Sequence, residues 1–189
     1  MSTKRFRWGL LGAFVLQVAF LGWMIADRAM LLAGGQEVRL AVVPVDPRDL
    51  FRGDYVVLSY EISRLNEADL DGNTGFEPGN TIYVRVKPNG AEWRAVAIYN
   101  QEPAEGFALR GTVDRTNSGG DDCVGGDCRI LTVEYGLERF FVPEGAGREL
   151  ERLRNDQRMS VDVAVASNGR SALKRLLVDG EVRYEESLY

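Results

Sequence analysis

Apolar and polar positions divide the chain into two regimes. Residues 8–26, WGLLGAFVLQVAFLGWMIA, form an uncharged run broken only by the polar Gln17. At about 1.5 Å per residue a helix of this length matches a hydrocarbon core of about 30 Å. Trp8 and Trp23 stand near its ends, where indole rings favour the membrane interface. From Val38 onward the pattern changes to short apolar runs separated by Gly, Asn, Asp and Pro. Val38, Leu40, Val42 and Val45 open this region. Val56, Leu58, Tyr60 and Ile62 then alternate with Tyr55, Val57, Ser59 and Glu61, the period of a half-buried strand. Ile82, Val84 and Val86 repeat the alternation and lead to Asn89-Gly90, a hairpin signal. A two-residue turn there sets Lys87 opposite Glu92, Val86 opposite Trp93 and Val84 opposite Ala95.

One helix is predicted beyond the apolar run, over residues 143–158. Pro143 opens it, Leu150 and Leu153 are its apolar contacts, and Glu151 pairs with Arg154 on its surface. The expected fold is mainly β: about eight antiparallel strands as a barrel or sandwich, one short polar helix and an N-terminal transmembrane helix. The division predicted is a tail over 1–7, a membrane helix over 8–26, a linker over 27–37 and a β-domain over 38–189.

The β-region also echoes itself. Gly53-Asp54, Val57-Leu58-Ser59 and Glu61 reappear as Gly126-Asp127, Ile130-Leu131-Thr132 and Glu134. Ile82, Val84, Val86 and Asn89-Gly90 reappear as Val161, Val163, Val165 and Asn168-Gly169. The order of elements is kept, so residues 38–99 and 107–178 read as a tandem duplication.

Charge sets the orientation. Lys4, Arg5 and Arg7 precede the apolar run, whereas Arg28 after it is offset by Asp27. The positive-inside rule then puts the N-terminus in the cytoplasm and the domain outside. A cleaved signal peptide would need small residues at an A-x-A-like site. Residues 30–35 offer only Leu31 and Ala33 at that spacing, and no cysteine follows for a lipid anchor. Setting aside the basic residues that flank the run and Asp27, the formal charge deepens from −5 to about −8. An acidic domain without a basic face is no nucleic-acid binder. The chain has no histidine. That removes Ser-His-Asp and Cys-His catalysis, HExxH zinc sites and c-type haem attachment.

The densest candidate site spans residues 44–60. Asp46, Arg48, Asp49, Arg52 and Asp54 place five charges around Gly53, just before Tyr55 and Tyr60. The arginines suit an anionic group, with carboxylates opposite. The same charges also suit a salt-bridged loop that fixes strand register. Tyr55 and Tyr60 fall on opposite faces of a strand, which points Tyr60 toward the core. Arg52-Gly53-Asp54 also spells RGD, too short a string to carry an adhesion role. Cys123 and Cys128, in an oxidising compartment, read as a disulfide. A metal site there lacks both histidines and the EF-hand pattern, so neither metal nor cofactor is expected. Gly-Asp leading into Tyr-Val-Val-Leu has a local likeness to type I signal peptidases, but Lys87 and Lys174 beside Asn-Gly turns are poorly placed as desolvated bases. A paired-carboxylate hydrolase would use Glu61 and Glu134 first.

The string Gly53-Asp54-Tyr55-x-x-Leu58-x-Tyr60 resembles the defining motif of the GDYXXLXY family, a set of uncharacterised bacterial proteins. The resemblance extends to residues 45–49, to the stretch from Tyr135 to Gly145, and to residues 184–189, with Ser187 where members usually carry Pro. It implies a membrane-anchored protein whose gene often lies beside, or is fused to, one for a multi-spanning membrane protein, and so a partner of that kind. It implies no reaction. Three readings compete: a non-enzymatic envelope module that binds a membrane partner or envelope ligand through residues 46–60, an envelope hydrolase, and a purely structural domain.

Overall fold

The computed structural model describes residues 3–44, 55–104, 106–118, 129–141, 152–154 and 156–186. A single helix, α1 (Thr3–Gly34), opens the chain. It is apolar on all sides, and its large side chains from Trp8 to Ile25 are exposed. Such a helix has no soluble face to present to water. It does not stop where the uncharged run stops. Residues 27–34, predicted as linker, continue α1, and Leu31 and Leu32 pack on Ala164 and Ala172 of the β-domain. Gly35 permits this close approach. A Cβ there would lie 2.7 Å from the Leu31 carbonyl oxygen and 3.0 Å from the Ala164 Cβ.

Thirteen strands follow α1 among the described residues: β1 (Gln36–Val43), β2 (Tyr55–Val57), β3 (Ser59–Tyr60), β4 (Arg64–Asn66), β5 (Asp71–Gly72), β6 (Thr81–Asn89), β7 (Glu92–Tyr99), β8 (Ala108–Ser118), β9 (Arg129–Glu134), β10 (Arg139–Phe141), β11 (Met159–Val165), β12 (Ser171–Val178) and β13 (Glu181–Glu185). One sheet has the order β13-β12-β11-β1-β3 and the other β4-β9-β8-β6-β7-β5, with β2 and β10 as a separate pair. The sheets curl around one core in a half-closed barrel, with β1 of the first against β7 of the second. Pairing is antiparallel except for β5 against β7, which is parallel.

The predicted alternation builds this core. Val38, Leu40 and Val42 of β1, Ile82, Val84 and Val86 of β6, and Val161, Val163 and Val165 of β11 all point into it. The predicted strand over 56–62 is divided at Leu58. Its first part pairs with β10, its second with β1, and Glu61–Ser63 then form a 3-10 turn. The β6–β7 hairpin differs from its predicted register. Asn89 pairs with Glu92, so the turn is Gly90-Ala91, and Lys87 faces Arg94, Val86 faces Ala95 and Val84 faces Ile98. Gly90 has φ +68° and no other side chain near its Cβ position. A hairpin turn with a positive φ at its first central residue favours glycine there, which moves the turn one residue along.

The segments that echo one another occupy corresponding places. The order β12-β11-β1-β3 parallels β7-β6-β8-β9. Leu40 faces Val161 and Val42 faces Tyr60 in the first sheet. Gly111 faces Ile82 and Val113 faces Val133 at the same rungs of the second. Each half contributes its hairpin to the sheet begun by the other half.

The outer face of the first sheet is charged. Asp162 is buried and accepts from Arg39 at 2.7 Å and from Arg175 at 3.0 Å. Arg175 also donates to Glu37, which Lys174 reaches as well. Burial pushes the Asp162 carboxyl upward, but hydrogen bonds and charge from the two arginines outweigh it and hold the group below the usual range.

Candidate functional site

The predicted site residues divide between two settings. Asp46, Arg48, Asp49, Arg52, Gly53 and Asp54 lie outside the described residues, and so do Cys123 and Cys128. Tyr55 begins β2, where its backbone pairs with Phe141. The rest of the segment belongs to the framework. Leu58 and Tyr60 are core residues, and the Leu58 N–H donates to the Glu138 carbonyl at 2.8 Å. The Tyr60 hydroxyl donates to the Leu137 carbonyl at 2.5 Å. Burial, with the Glu138 charge adding to it, raises the Tyr60 phenol well above its ordinary value, so the proton stays on oxygen.

Sequence reasoning missed what holds this strand from behind. Residues 152–154 are helical, but Arg154, predicted on the helix surface, is buried. It is among the most deeply buried side chains and donates to the Val57 carbonyl at 2.8 Å. Val57 ends β2, where the chain changes partners from β10 to β1, and a guanidinium with several donors is suited to such a place. No spacing in the sequence distinguishes this arginine from its neighbours at 148, 152 and 158.

The pair of acids considered for hydrolysis has two different surroundings. Glu61 forms an exposed ion pair with Arg94 at 3.2 Å. Glu134 lines a cleft of about 490 Å³ between the end of α1 and the second sheet. Asp27, Arg28, Arg110 and Arg170 share that cleft with it. Arg170 grips Asp27 with two hydrogen bonds, at 2.7 and 2.9 Å. These residues come from one helix and three strands or turns far apart in the chain, which hides the cluster from any local pattern.

A family profile described as GDYXXLXY protein matches residues 17–176. The chain belongs to the GDYXXLXY family. The match takes in the second half of the apolar helix and runs through most of β12, so helix and β-domain together are the GDYXXLXY unit. No curated protein and no solved structure matches this GDYXXLXY chain. Its defining string begins outside the described residues and ends at Tyr60, in the core.

Proposed function

We propose that this protein is a single-pass module of the bacterial inner membrane, with its N-terminus in the cytoplasm and its β-domain on the outer side. Its role on this reading is to bind a multi-spanning membrane partner or an envelope ligand through residues 46–60, without chemistry of its own. The observation that carries the reading is α1. It is exposed and apolar from Trp8 to Ile25, then enters the domain without a break and docks by Leu31 and Leu32. The bias of Lys4, Arg5 and Arg7 supports the orientation. An oxidising compartment then fits a Cys123–Cys128 disulfide.

Three carboxyls of the β-domain fit a binding role better than hydrolysis. Glu37, Asp162 and Asp179 are all held below their ordinary range by basic partners. A general acid needs the opposite displacement. The test is a pull-down of the full chain from detergent extract, compared with an Arg48→Ala plus Arg52→Ala variant. Loss of a specific membrane protein from the variant is the expected result. An unchanged partner list at unchanged stability would sink the binding reading.

A further inference from the structure

The cleft at the end of α1 has a position and a lining that the binding role above does not use. The uncharged run ends at Ala26, and about 28 Å of helix lies within it at 1.5 Å per residue. That length spans the hydrocarbon and puts Asp27 and Arg28 at the depth of lipid headgroups. The cleft opens there. Arg28 and Leu31 form one wall, Arg110, Gly111 and Thr112 another, and Glu134, Tyr135, Arg170 and Ser171 complete it.

Three guanidinium groups face this space, and they are not all committed. Arg170 is held by Asp27. Arg28 reaches Glu186 only at 3.5 Å. The Arg110 side chain is exposed and has no ion-pair or hydrogen-bonding partner among the described residues. The Ser171 Oγ is buried at the wall, also without a hydrogen-bond partner among the described residues. Guanidinium groups are the side chains best matched to phosphate oxygens. Glu134 stands among them as an acceptor for an ammonium group.

From this lining and this depth we infer that the cleft binds the phosphate of a phospholipid headgroup, and that a zwitterionic phosphoethanolamine group fits best. The phosphate lies toward Arg110 and Arg28, and the ammonium turns to Glu134. Both acyl chains enter the bilayer beside α1. A lipid held there would brace the domain against the membrane surface in one orientation. The inference rests on α1 being a membrane anchor.

The test uses the full chain in detergent, stripped of lipid and titrated with phosphatidylethanolamine, and in parallel with glycerophosphoethanolamine and inorganic phosphate. Native mass spectrometry reads the adducts. The expected result is a one-to-one lipid adduct that Arg110→Gln weakens about tenfold, with Arg94→Gln, outside the cleft, unchanged. Circular dichroism confirms that both variants are folded. Equal lipid retention by Arg110→Gln would overturn the inference. Soluble phosphate compounds binding as tightly as the diacyl lipid would overturn the lipid source. Alkaline extraction of membranes separates the two levels. A chain released by it fails as an anchored protein, whereas an anchored chain with no adduct fails only the headgroup site.

Discussion

Tyr60 and Tyr135 brace each other's segments. The Tyr60 hydroxyl donates at 2.5 Å to the carbonyl of Leu137, two residues beyond Tyr135. The Tyr135 hydroxyl donates at 2.7 Å to the carbonyl of Ile62, two residues beyond Tyr60. Both rings are buried, and burial together with the Glu138 charge raises both phenols well above their ordinary value. Replacing either with Phe keeps the ring and strands a buried carbonyl. Tyr60→Phe and Tyr135→Phe are each expected to lower stability by about 1–3 kcal/mol in urea denaturation. The double variant should lose less than the sum if the two bonds support one another.

Asp162 ties the first sheet's outer face to its acid stability. Its carboxyl is held below the usual range in the folded chain, so its contribution is fully present above the unfolded value of about 3.9. As pH falls through the lower folded value, that contribution is lost. Asp162→Asn should flatten the acid limb of the stability profile below about pH 4 and cost about 1–3 kcal/mol at neutral pH. An unchanged acid limb would mean that Arg39 and Arg175 do not hold the charge.

Arg154 is the strut of the strand that carries the family motif. Arg154→Met fills much of the same space but leaves the Val57 carbonyl without its donor. A loss of about 2–4 kcal/mol is expected, with faster hydrogen exchange in β2 and β10 than in β6 and β8. Uniform acceleration across all strands would place the effect elsewhere.

Gly35 controls how α1 meets the sheet. In Gly35→Val the added side chain collides with the Leu31 carbonyl and with β11. The helix should lift from Ala164 and Ala172 while the β-core remains folded. Trypsin cleavage after Arg28, in the part of α1 that lifts, is expected to accelerate at least several-fold in detergent, with the far-ultraviolet spectrum little changed. Equal cleavage rates would show that the docking tolerates a side chain.

How much of this was readable in the residues follows from how local each cause is. The apolar helix and the alternating strands were legible because one period decides each of them. The echo between Ile82 and Val161 gave matched rungs, since both sit at the same step of a strand begun from the opposite half. The hairpin turn was misplaced by one residue, because Asn89-Gly90 outweighed the fit of Gly90-Ala91. The linker was misread because Leu31 and Leu32 look like the tail of a membrane segment until Ala164 and Ala172 are seen beneath them. Arg110, Arg170 and Arg28 carry no signal at all in one dimension.

The exchange of hairpins between halves sets a timetable for assembly. One residue separates α1 from β1, so on the proposed anchoring β1 is fixed beside the membrane as soon as α1 is in place. Its partner β11 arrives much later: Arg39 and Asp162 are separated by 123 residues. At about 5–20 residues per second, β1 waits roughly 6–25 s with its edge open. Chaperones that cover open strand edges therefore have their moment of need before synthesis ends, above all at this strand.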